Sequence, residues 1–131
     1  DFIYKCKGYK KICLVSDSLR AAGMPKGDYM LGGKDDGVEI EVAGNVALVK
    51  GSNRVAGSVT PVSKMVERLV ARSAVPLEEA IYMVTQSPAS SLGISDRGSI
   101  ECGKLADINL VNSSGKVKAT ILDGKIVRYK M

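Results

Sequence analysis

The sequence predicts an α/β fold on three observations. A short apolar run, Ile12-Cys13-Leu14-Val15, shows no polar alternation and halts on Ser16-Asp17-Ser18. Four consecutive apolar residues suit a strand covered on both faces, and such strands belong mostly to sheets flanked by helices. Apolar residues then recur at helical spacing between positions 61 and 84, with shorter strand signals on either side, "VEIEV" before and "ADINLV" after.

In chain order, residues 11–15 read as a fully buried strand with the carboxylate of Asp17 just past its carboxyl end. That is where α/β proteins keep their chemistry, because the backbone is rigid there and the following loop is free to vary. An aspartate so placed can act as a general base toward water. It can equally be a turn or capping residue that bonds nearby backbone N–H groups, and the residues alone leave both roles open. From Gly27 to Gly57 short strands alternate with glycines; Val38, Ile40 and Val42 alternate with Glu39 and Glu41, and Gly44-Asn45 predicts an antiparallel hairpin. Thr60-Pro61 reads as an N-cap followed by a proline at the first helical position, opening a helix with Val66, Leu69 and Val70 on one face. A second helix starts at Pro76, carries Glu78 and Glu79 where the helix dipole favours acids, and buries Leu77, Ala80, Ile81 and Val84. It stops before Pro88, and "PASSLG" predicts one further helical turn closed by Gly93. Strands are expected at 99–102, 106–111 and 117–127, the last broken by a hairpin turn at Asp123-Gly124.

Composition narrows the class. The 131 residues are 45% hydrophobic and 25% charged, which suits one ordinary globular core, and with one Phe, five Tyr and no Trp that core must be aliphatic. No apolar stretch is long enough to cross a bilayer, so no membrane partner is expected. Three cysteines, Cys6, Cys13 and Cys102, are odd in number and lack C-x-x-C spacing; they are expected as small buried hydrophobes in a reducing cytoplasm. The net charge of +5 gathers partly at Lys5, Lys7, Lys10 and Lys11, but no recognition motif accompanies it, so a solvated lysine face is expected and no nucleic-acid partner. The glycines at 32, 33, 37, 44 and 51 match no phosphate-binding loop. With no histidine in the chain, the usual serine triad and most catalytic zinc sites are ruled out within it. A lone strand of the parallel-sheet type lacks a partner of its own kind here, and the chain starts at Asp1. Both features lead to the expectation that it is the C-terminal part of something larger.

Five stretches together resemble the N-acetylglucosamine-6-phosphate deacetylases of the amidohydrolase superfamily: "LVSDSLRAAG" at 14–23, "GDYMLGG" at 27–33, "VAGSV" at 55–59, "PLEEAIYMVTQSPASSLGI" at 76–94 and "RGSIECGKLADINLV" at 97–111. The resemblance implies a C-terminal fragment of a metal-dependent (β/α)8 (TIM) barrel hydrolase. Residues 1–97 would hold the last barrel strand, a β-hairpin insert and helices, and residues 98–131 the C-terminal strands of an accompanying small β-sandwich. Asp17 matches the family's catalytic aspartate, which takes a proton from a metal-bound water and returns it to the departing sugar amine. Val55, Ala56 and Gly57 match a loop that lies against bound substrate and contributes shape and main-chain hydrogen bonds. Val55 replaces the more common Leu, and the stretch around Lys34-Asp35-Asp36 is longer than the family pattern. The ligands of the divalent metal, zinc or iron, and the grip on the sugar phosphate are implied to lie in a missing N-terminal portion, with a homodimer in the intact enzyme and no turnover by this chain alone. Two alternatives stand beside this: a fragment of another amidohydrolase acting on a different or cyclic amide, and a β-rich interaction module without catalysis.

Overall fold

A computed structural model describes residues 1–33 and 35–129. Lys34, in the stretch singled out for its length, lies outside the described residues. The alternation of valine and isoleucine with glutamate becomes strand β2 of a four-stranded antiparallel sheet: β1 (Gly27–Leu31), β2 (Val38–Ala43), β3 (Val46–Val49) and β4 (Val55–Ser58), in that spatial order. Ile40 and Val42 are buried while Glu39 and Glu41 are exposed, as a strand with one wet face requires, but Val38, expected to share the covered face, lies 46% exposed at the start of the strand where the core has not yet begun. Ala43 pairs with Val46 across the Gly44-Asn45 turn, where Gly44 has φ 74°, a left-handed value a side chain would resist. Ala21, Ile40, Val42, Ala47 and Val59 form the core beneath this sheet, with Leu19, Tyr29, Leu31 and Ala56 packed on it. On the wet face Lys50 reaches both Asp28 and Glu39 at 2.7 Å. These elements belong to one compact unit, residues 16–62.

The other unit comprises residues 1–15 and 63–131. It opens with a short helix, α1 (Phe2–Lys7), and a 3-10 turn over Tyr9–Lys11, on which Lys5, Lys7, Lys10 and Lys11 are all exposed. Three helices follow: α2 (Val62–Arg72), α3 (Leu77–Val84) and α4 (Gln86–Ser91). Val66, Val75, Ala80 and Met83 are their buried core, joined by Leu69, Val70, Leu77 and Val84. Glu78 and Glu79 sit in the first turn of α3, and Pro88 falls within the first turn of α4, where its missing N–H breaks no intrahelical bond. A three-stranded antiparallel sheet completes the unit: β5 (Ile108–Val111), β6 (Val117–Leu122) and β7 (Lys125–Tyr129). Asp123 and Gly124, at φ 48° and 72°, make the two-residue turn between the last two.

Several expectations are corrected. Residues 12–15 are not a strand and are covered only in part: Ile12 and Leu14 are half-buried, Val15 is 71% exposed, and Leu14 N–H donates to the Met83 carbonyl at 2.9 Å instead of to a neighbouring strand. A strand needs a hydrogen-bonding edge beside it, and among the described residues none lies there. Ile12 and Leu14 instead rest their side chains on the helical core. Helix α2 begins at Val62, one residue later than the expected first helical position at Pro61, and the Thr60 hydroxyl donates to the Asn45 carbonyl at 3.0 Å. Residues 99–102 form a loop in which the Lys104 ammonium bonds both Ser99 and Glu101, so side chains replace the expected ladder. Met83, not Ile81, is the deeply buried residue in the last turn of α3. All three cysteines are exposed. Among the described residues no helix is long and apolar enough to cross a membrane.

Candidate active site

Asp17 ends the extended segment in the left-handed region of backbone space, at φ 51°. That conformation costs an ordinary L-residue about 1–2 kcal/mol, and aspartate is among the few that visit it. Its carbonyl accepts the Ser58 N–H at 3.0 Å, and the Leu19 N–H donates to the Ser58 carbonyl at 2.9 Å. Together these bonds make an isolated parallel bridge between Ser18 and Ser58. Strand β4, which carries Val55, Ala56 and Gly57, is thereby held against the residues flanking Asp17. The four residues singled out in the sequence are thus brought together by one short backbone pairing within the 16–62 unit.

Each has its own environment. The Asp17 residue is exposed, leaving its carboxylate open to a water or a ligand. Val55 is 65% exposed, Ala56 packs on the core, and Gly57 is buried. A Cβ on Gly57 would meet Leu19 Cγ and Cδ2 at 2.9 Å, so glycine there is what lets residue 19 close over the strand. Three further residues went unnoticed in the sequence as parts of this site. Ser16 Oγ donates to the Thr60 carbonyl at 2.6 Å, Thr60 N–H donates to Ser58 Oγ at 2.9 Å, and Thr60 Oγ1 donates to the Asn45 carbonyl. No spacing rule links a serine at 16 to a carbonyl at 60; only the fold does.

The helical unit holds other chemistry. Cys13 Sγ lies 3.4 Å from both Ser87 Oγ and Ser91 Oγ. These hydroxyls, Ser87 foremost, hold its thiol below the ordinary cysteine range. A shallow open depression of about 360 Å³ is lined by Leu14, Met65, Arg68, Leu69, Arg72 and Ser73, and none of the predicted site residues belongs to it. Among the described residues no three His, Cys, Asp or Glu side chains come close enough to hold a metal ion. The donors present do not fit the divalent metal that the resemblance implies.

The sequence profile of the Amidohydrolase family matches residues 10–127. The chain belongs to the amidohydrolase family. It is 37% identical over 117 residues to the N-acetylglucosamine-6-phosphate deacetylase of Caenorhabditis elegans, an alignment covering 88% of this chain and 27% of that protein. It is 32% identical over 125 residues to an N-acetylgalactosamine-6-phosphate deacetylase of Escherichia coli O157:H7, covering 95% of this chain and 32% of the other. The crystal structure of the N-acetylglucosamine-6-phosphate deacetylase of Thermotoga maritima superposes with a TM-score of 0.86 at 29% identity, over 98% of this chain and 34% of that one. This amidohydrolase therefore spans about a third or less of the length of these relatives. Its mixed helix and strand content is in keeping with part of a (β/α)8 barrel enzyme.

Proposed function

We propose that this amidohydrolase chain supplies the C-terminal part of a deacetylase that converts N-acetyl-D-glucosamine 6-phosphate and water to D-glucosamine 6-phosphate and acetate. One observation carries the reading. Asp17 is pinned beside the Val55–Gly57 strand by the Ser58 amide, in a chain similar to proteins named for this reaction. Asp17 accepts a proton from the water that attacks the acetyl carbonyl carbon, and hands it to the amine nitrogen as the C–N bond breaks. One exposed carboxylate serves both transfers because the two proton sites are bonded to the same carbon. Val55, Ala56 and Gly57 present shape and main-chain groups to the sugar. In this reading residues 11–18 supply the last stave of the barrel in the intact enzyme, residues 98–131 the C-terminal share of a β-sandwich, and the intact enzyme is a cytoplasmic homodimer. Zinc or iron, where bound, would polarise the carbonyl from ligands outside this chain; no step here runs through it.

The test is to express these 131 residues alone and within the polypeptide of the complete reading frame, with added zinc or iron, and to assay acetate release. The longer polypeptide should turn over, Asp17→Asn in it should lose about 100-fold or more in rate, and the isolated chain should release no acetate. Robust turnover by the isolated chain overturns the reading.

A second reading changes only the sugar. Similarity to an N-acetylgalactosamine-6-phosphate deacetylase favours the C4 epimer as substrate. The ratio of kcat/KM for the two epimers decides between them, and preferential turnover of a cyclic amide would displace both.

A further inference from the structure

We infer that Ser16 is a positioning residue, whose hydroxyl holds the Asp17 carboxylate in its working orientation; the inference rests on the reading of Asp17 as the base. Asp17 has a positive φ, and a non-glycine residue persists there only where its surroundings over-determine it. The surroundings do so from both sides. On the downstream side the Asp17 carbonyl accepts the Ser58 N–H and the Leu19 N–H bonds Ser58 in return. On the upstream side the Ser16 hydroxyl donates to Thr60 O at 2.6 Å. Thr60 is itself a fixed point, being only 7% exposed, with its N–H on Ser58 Oγ and its hydroxyl on Asn45 O.

These bonds form a clasp between residues 16–19 and 58–60 in which, among the described residues, every partner of Asp17 is a backbone group. The exposed side-chain carboxylate makes no hydrogen bond or ion pair among the described residues. Within the clasp Ser16 contributes the one side-chain bond immediately ahead of Asp17. Without it, the peptide entering Asp17 is free to rotate back toward the extended region favoured by L-residues, which swings the carboxylate off its line. A base displaced by as little as an ångström loses rate steeply, while binding of the sugar elsewhere is untouched.

The test compares Ser16→Val with Ser16→Thr in the polypeptide of the complete reading frame. The two replacements have nearly the same shape and differ by the hydroxyl alone. Ser16→Val should lower kcat about 10- to 100-fold with little change in KM, and Ser16→Thr should restore it. In parallel, the Asp17 Cα and Cβ chemical shifts in the 131-residue chain should leave their left-handed values in Ser16→Val and keep them in Ser16→Thr. Should valine prevent folding, Ser16→Ala takes its place against the same threonine control. An unchanged kcat in Ser16→Val, alongside a dead Asp17→Asn, overturns the positioning role and spares the assignment of Asp17. If Asp17→Asn stays active, the assignment of the base fails, and unaltered Asp17 shifts in Ser16→Val then overturn the clasp separately.

Discussion

A left-handed aspartate restricts what can stand at position 17. A β-branched replacement has no stable place there, so Asp17→Val should cost about 1–2 kcal/mol in urea unfolding, whereas Asp17→Gly should change stability by less than about 1 kcal/mol while removing the carboxylate. Gly57 is restricted by space. Alanine would drive its methyl into Leu19, at 2.9 Å, and should destabilise by about 1–3 kcal/mol, with Leu19→Ala in the same chain recovering part of the loss. At Cys13 the prediction is one of pH. The serine hydroxyls stabilise the thiolate, so alkylation should become half-maximal at a lower pH than for an unstructured cysteine peptide. Ser87→Ala, removing the larger contribution, should move that midpoint back up. Asp17 stands out in the sequence as a carboxylate just past an apolar run, but its proposed role comes from the family resemblance and not from that position. Ser16, Ser58 and Thr60 do not stand out, since their partnership depends on a pairing between distant segments.

Elements read from local periodicity match the structure, and those that need a neighbour do not. The β2 alternation from Glu39 to Val42, both hairpin turns and the acidic start of α3 are statements about residues a few positions apart, and each is found where the sequence places it; only Val38, at the strand's exposed start, breaks the pattern. Residues 11–15 show the other case. Four apolar side chains in a row signal a covered strand only when other strands lie alongside, and in the described structure the segment hangs on Met83 and the helical core instead. The same periodicity gives a quantitative expectation for β2. Ile40 is 1% exposed, so Ile40→Ala should cost about 2–5 kcal/mol. Its exposed neighbour Glu41 should tolerate alanine within about 0.5 kcal/mol, and chemical denaturation of the two variants checks both.

At the scale of the whole molecule the division between residues 16–62 and the remainder had no signature in composition, because the chain passes between the units without a linker rich in Gly or Pro. The sheet of β5, β6 and β7 carries exposed Leu110, Leu122, Ile126, Val127 and Tyr129, and its outer strands pair on one side only among the described residues. Such an edge recruits other chains. The 131-residue chain should therefore associate with rising concentration in sedimentation velocity, and Ile126→Lys should shift it toward monomer.

The bridge between Ser18 and Ser58 has one more consequence. The path that departs at one serine comes home to the other, so everything threaded between them is a detour whose doorway is already shut. For a flexible turn along that detour, doubling the length costs only about 0.6 kcal/mol of closure entropy. Natural variation can lengthen the exposed turn at 51–53 at little expense to the doorway, whereas Ile40, Leu19 and Gly57 are fixed by packing, so the acid on the threshold keeps its post while only that rim is remodelled.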